Sequence, residues 1–160
     1  MNARAAELIR GLQLKPHPEG GFYRETFRSA ALVTADQRPT RNALTTIYFL
    51  LAAGSFSAWH RVLSDEVWHW YEGEPLELLL APPDFSSVQK HQLGPIAGGT
   101  EPVMTVPAHW WQAARPQGSY ALCGCTVAPG FEFEDFVFLR TDSAARDMLR
   151  RAAPELESLL

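Results

Sequence analysis

The chain has 160 residues, 46% of them hydrophobic, which is enough for one filled core and too few to divide comfortably into two domains. Its 14 basic and 18 acidic residues give a formal charge of -4, with no basic cluster, so no surface is set up to neutralise a phosphate backbone and nucleic acid is not expected as a partner. The two cysteines, Cys123 and Cys125, stand two apart, where an intrastrand bridge is not expected. No apolar run reaches the length of a membrane span or of a leader, so the chain reads as reduced, cytoplasmic and without a membrane partner.

The first element is a short helix over residues 3–14, with Ala6, Ile9 and Leu12 or Leu14 on a rough helical spacing that stops at Pro16 and Pro18. From about 22 to 139 the chain breaks into short apolar or aromatic stretches, at 22–27, 44–51, 56–62, 66–71, 76–80, 87–93, 103–106, 109–114, 120–127 and 133–139. Turn signals such as Gly20-Gly21, Ala53-Gly54, Glu72-Gly73, Pro82-Pro83-Asp84 and Pro129-Gly130 separate them. Many short strands at this spacing predict an all-β antiparallel sandwich or barrel in a single domain spanning 1–160. Helical spacing returns over 142–160, with Asp142 as N-cap.

Four blocks then stand in order: Pro16-His17-Pro18-Glu19-Gly20-Gly21-Phe22-Tyr23-Arg24-Glu25-Thr26; Trp59-His60-Arg61 with Ser64-Asp65-Glu66-Val67-Trp68-His69-Trp70-Tyr71-Glu72-Gly73; Val106-Pro107 with Trp111-Gln112-Ala113-Ala114; and Val127-Ala128-Pro129-Gly130-Phe131-Glu132-Phe133. On these blocks the chain resembles the Cupin_5 group, DUF985, of the cupin superfamily. The resemblance implies a jelly-roll β-barrel with a solvent-reachable pocket, commonly dimeric, and a likeness in fold to nucleotide-sugar epimerases and seed storage proteins. It implies no settled reaction. It also implies a metal-ligand pattern at His60, position 62, Glu66 and Gln112, in which Val62 replaces one histidine and Gln112 another. A transition ion wants three or more imidazole, carboxylate or thiolate donors. No tightly held metal and no other cofactor is therefore expected; if a metal is bound, its ligands are His60, Glu66 and Gln112.

The candidate residues follow. His60 is the candidate general base, with Glu66 orienting it and Tyr48 or Tyr71 as proton donor, the donor role being what the likeness to sugar epimerases suggests. Strand alternation sends Glu66, Trp68 and Trp70 to one face and Val67, His69 and Tyr71 to the other. One face lines the interior, and the other is buried under the N-terminal segment or against a second subunit. Trp68 is either core filling or a stacking wall for a ring. His17, Glu19, Tyr23, Arg24 and Glu25 form a second polar concentration, with Arg24 the candidate anion contact; His17, Glu19, His69, His109 and Gln112 complete the ligand-binding candidates. The expected function is binding of a small polar ligand, carbohydrate or nucleotide-sugar-like, with metal-independent epimerase or isomerase chemistry as the enzymatic version. A non-enzymatic binding or structural module and a metal-dependent oxygenase or isomerase are the alternatives, and a homodimer is the expected assembly.

Overall fold

The computed structural model describes residues 1–35 and 38–160. Helix α1 (Ala3–Gly11) comes first, its N-terminus capped by Asn2 Oδ1, which accepts the N–H groups of Arg4 and Ala5 at 2.9 and 3.3 Å. Strands β1 (Lys15–Pro16), β2 (Phe22–Arg28), β3 (Leu32–Val33), β4 (Arg41–Asn42), β5 (Thr45–Ala52), β6 (Ser57–Val62) and β7 (Asp65–Gly73) follow. The second half adds β8 (Leu76–Ala81), β9 (Gln89–Leu93), β10 (Val103–Val106), β11 (Trp111–Pro116), β12 (Tyr120–Ala128) and β13 (Phe136–Phe138), then helix α2 (Ser143–Ala152) and a final 3-10 turn (Pro154–Leu159). Asp142 caps α2 by accepting the Ala145 N–H at 3.0 Å. No helix among the described residues is long and apolar enough to cross a membrane.

Among the described residues the strands form three sheets. One has six strands in the order β1-β2-β5-β12-β7-β10, one has five in the order β13-β6-β11-β8-β9, and β3 pairs with β4. Every ladder is antiparallel. The two larger sheets meet through Phe49, Leu51, Trp68 and Cys123 on one side and Leu76, Leu78, Leu80 and Ala114 on the other. A second apolar cluster lies on the far side of the five-stranded sheet, where Trp59, Leu79 and Trp111 pack against Leu139, Leu149 and Leu156 of the C-terminal segment. A third joins Ala5 and Leu8 of α1 to Leu50 and Leu122 on the outside of the six-stranded sheet. Strand β8 is buried along its whole length because it faces the first cluster with one row and the second with the other.

The architecture departs from the sequence expectation in two ways. The sheets do not close into the predicted jelly-roll barrel: they remain three separate hydrogen-bonded sheets. At the edges β13 has three residues and β10 four, and β13 is preceded by a 3-10 turn (Phe133–Asp135), so no continuous ladder is available for closure. Nor is the architecture all-β. Helical segments contribute to two of these three apolar clusters, which makes it a mixed α/β fold, and α1 packs on the outer face of the six-stranded sheet, where Tyr71 stays 48% exposed.

Candidate functional site

A cavity of about 320 Å³ opens between the two larger sheets at the end where the β1–β2 turn, β6 and the 131–136 segment converge. The turn is held by reciprocal bonds, His17 N–H to Gly21 O and Gly20 N–H to His17 O, each at 3.0 Å. Gly20 has φ +115, and a Cβ there would collide with the carbonyl oxygen of Phe56. Only glycine allows this close approach to β6. The Ala58 N–H then donates to Glu19 O at 2.8 Å, fixing the turn so that the Glu19 side chain enters the cavity. On the other side, the Trp59 indole N–H donates to Leu156 O at 3.2 Å, tying β6 to the C-terminal turn.

His60 and Glu19 are the centre of the site. His60 Nδ1 lies 2.7 Å from the Ala58 carbonyl oxygen, which accepts only, so Nδ1 carries the proton and Nε2 presents its lone pair. Glu19 Oε2 is 3.2 Å from that Nε2, and Glu19 Oε1 accepts the Ser57 hydroxyl at 2.8 Å. Burial raises the Glu19 pKa above its ordinary 4.5, opposed by the nearby His17 and by the Ser57 hydrogen bond. Burial likewise lowers His60 below 6.5, with the charge of Glu66 working the other way. Burial thus disfavours the charged form of each group. His17 Nδ1 accepts the Glu19 backbone N–H at 3.3 Å, which leaves its proton on Nε2; burial lowers its pKa as well.

Behind this pair lies a second polar chain. Gln112 is fully buried, and its Oε1 accepts the Trp68 indole N–H at 2.9 Å while its Nε2 donates to Glu66 Oε2 at 2.6 Å. Because an indole nitrogen only donates, the orientation of the amide is fixed. Burial raises the Glu66 pKa, opposed first by His60, and the buried Cys125 lines the same part of the cavity. Apolar walls come from Ile47, Phe49, Val62 and Val127, and the lip from Phe131, Phe133 and Phe136. Phe136 stacks on the His60 ring at 4.9 Å and 15°.

At the mouth, β2 carries a β-bulge between Glu25 and Phe27. Before it, Tyr23 and Glu25 point inward; after it, the phase changes, so Arg28 lines the cavity while Phe27 is 54% exposed. Arg28 donates through Nε and Nη2 to Glu25 at 3.1 and 2.9 Å, through Nη1 to Glu132 and Asn42 at 2.7 and 3.0 Å, and through Nη2 to Phe131 O at 3.2 Å. All five of its N–H donors are used.

Of the residues named from sequence, His17, Glu19, His60 and Glu66 come together on the cavity wall, with Gln112 and Trp68 immediately behind Glu66. Tyr48 and Tyr71 lie on the opposite face of the six-stranded sheet, their rings 6.0 Å apart beside α1. Arg24 stacks over Tyr48 at 5.6 Å on that same face. His69 also faces outward, in register with Gly124 and Val103, and His109 occupies an exposed left-handed position (φ 69) just before β11. Sequence reasoning placed Tyr23 in the polar run with His17 and Glu19 without giving it a role, and gave none to Cys125 or the three lip phenylalanines. Alternation along β2 was the available signal for Tyr23, whereas the phenylalanine block read as a strand.

The donor set His60, Glu66 and Gln112 does not suit a metal ion. The Gln112 carbonyl oxygen is committed to Trp68, its NH₂ faces Glu66, and Val62 presents only hydrocarbon to the cavity. Among the described residues, no group of three His, Cys, Asp or Glu side chains is arranged to hold an ion.

The fold and sequence have known relatives. A hypothetical protein from Leishmania major is similar at 33% identity and TM-score 0.83, over 97% of this chain and 95% of that one. A protein from Shewanella oneidensis is similar at 31% identity and TM-score 0.79, over 99% and 94%. An uncharacterised protein from Saccharomyces cerevisiae is 27% identical over 89% of this chain and 79% of the yeast protein. Residues 6–139 match the Cupin_5 family model, described as cupin superfamily (DUF985), and with most of its length inside that match the chain belongs to this family of cupins.

Proposed function

We propose that the cavity binds a small polar, ring-shaped ligand of carbohydrate type and that the His60–Glu19 pair exchanges a proton with it, the chemistry of a metal-independent epimerase or isomerase. The observation that carries this reading is the contact between Glu19 Oε2 and His60 Nε2 at 3.2 Å, with the imidazole fixed on the Ala58 carbonyl. An imidazole with a defined tautomer and a carboxyl partner at hydrogen-bond range, both on a cavity wall, has the elements of general acid–base catalysis. Glu19 therefore takes the orienting role expected of Glu66, and Tyr23 is the phenol on the same wall.

The test is solvent deuterium incorporation at the carbon beside the carbonyl of an added keto-sugar. Exchange abolished in His60→Ala and strongly reduced in Glu19→Gln is expected. Binding without exchange in the wild type rejects the catalytic reading in favour of a binding module, a second reading supported by the stacking of Phe136 over the His60 ring.

A homodimer remains part of the proposal. The outer face of the six-stranded sheet beyond α1 leaves Phe27, Tyr71 and Val103 exposed at 54%, 48% and 46%, more bulk than a solvated face needs. A strictly monomeric mass at micromolar concentration rejects it.

A further inference from the structure

We propose that the cavity selects a positively charged ligand, a small ring-borne amine, and turns away phosphorylated and carboxylated ones. The proposal rests on the reading above only in seating the ligand in this cavity.

Four carboxyl groups line the cavity, but burial disfavours the charged form of Glu19 and Glu66, so the charge is set at the mouth, where Glu25 and Glu132 face one guanidinium, that of Arg28. Arg28 has no N–H left for a ligand, because Glu25, Glu132, Asn42 and Phe131 O occupy all five. An incoming phosphate or carboxylate has to break charge-assisted bonds already made, and it meets the field of the acids that make them.

The two imidazoles do not supply the missing cation. His17 uses Nδ1 as an acceptor from the Glu19 N–H, a bond it loses on protonation there. His60 presents its bare Nε2 to the Glu19 carboxyl. Among the described residues on the wall, therefore, no cationic group is free to meet an anion, and His17 offers only a neutral Nε2–H.

The lip adds attraction of the opposite sense. Phe131, Phe133 and Phe136 pack edge to face, with ring centroids 5.0, 6.2 and 6.4 Å apart. Aromatic faces beside carboxylates are the combination that holds organic ammonium ions. A volume of about 320 Å³ is at the small end of ligand pockets, the scale of one substituted ring.

The test uses three probes of one shape and three charges: benzylammonium, benzyl alcohol and benzoate. Binding is followed by NMR shifts of the His17 and His60 imidazoles in the full chain. Benzylammonium is expected to bind at least about tenfold more tightly than benzyl alcohol, with no saturation by benzoate. Equal or tighter binding of benzoate or of benzyl alcohol overturns the proposal, as does saturation by none of the three. In the Glu25→Gln, Glu132→Gln double variant, which removes both charges paired with Arg28 at half-exposed positions, the ratio of benzylammonium to benzoate affinity is expected to fall at least about tenfold; an unchanged ratio also overturns the assignment. The outcome is separable from the proton-transfer reading. Deuterium exchange on a neutral keto-sugar with no amine preference sinks this inference alone, whereas amine selectivity without exchange sinks the catalytic reading alone.

Discussion

Glu19 Oε2 lies 3.2 Å from His60 Nε2, and both groups are shielded from solvent. Their burial drives the two pKa values toward each other, with opposite consequences for stability. His60 is lowered below 6.5, so as pH falls through 6.5 the unfolded chain takes up the proton first and stability is lost. Glu19 is raised above 4.5, so its stabilisation is fully present below 4.5 and is lost as pH rises through the folded value. Between pH 4.5 and 6.5 the terms oppose each other. Glu19→Gln is expected to lose stability on acidification across this window more steeply than wild type, and His60→Asn to show the reverse slope. Urea midpoints at several pH values check this, and parallel slopes for the two variants contradict it.

Gln112 is the hinge of the buried chain from Trp68 to Glu66. Gln112→Leu leaves an indole N–H and a carboxyl unpaired in the interior and is expected to cost about 2–4 kcal/mol. Trp68→Phe added to that variant removes one of the orphaned groups. In a double-mutant cycle its effect is expected to be smaller than in the wild-type background, and strict additivity rules out the coupling.

The β1–β2 turn tolerates no side chain at Gly20, where φ is +115 and Phe56 O occupies the space a Cβ would need. Gly20→Ala is expected to cost about 2 kcal/mol or more. It is also expected to move Glu19 off His60, so the His60 imidazole signals change. A destabilised variant with unaltered His60 signals separates the turn from the site.

Phe133 is 52% exposed on the lip. Phe133→Ala is expected to change stability by less than about 1 kcal/mol while weakening benzylammonium binding about threefold. Thermal unfolding and the NMR titration read the two effects independently, and unchanged affinity removes Phe133 from the site.

The strand positions were legible because the turn residues punctuate them. Phe22 to Phe27 and Tyr120 to Val127 in the sequence reading correspond to β2 over Phe22–Arg28 and β12 over Tyr120–Ala128. Sheet closure was not legible, since it depends on edge strands pairing across the molecule, and β10 and β13 are short. His60 and Glu66 carried their signal in the family spacing, and His17 and Glu19 in a polar run beside a turn. The contact between Glu19 and His60 had no local signal, because it joins elements far apart in the chain. Tyr48 and Tyr71 were placed by analogy, and alternation along β5 puts Tyr48 opposite Ile47 and Phe49, which face inward. Past Glu25, regular alternation would have sent Phe27 inward and Arg28 out, the reverse of what the bulge produces.

That bulge gives β2 an uneven response to changes in chain length. Thr26 is the extra residue, facing no partner of its own while Glu25 pairs with Ile47 and Phe27 with Thr46. Losing it by an in-frame deletion restores a regular strand in which Glu25 and Arg28 keep their orientation. Losing Arg24 instead shifts the phase of everything on one side of the gap, turning Tyr23 out of the cavity or Glu25 away from Arg28. Gene-length variation among relatives is thus expected to be absorbed at Thr26 and rejected two residues earlier.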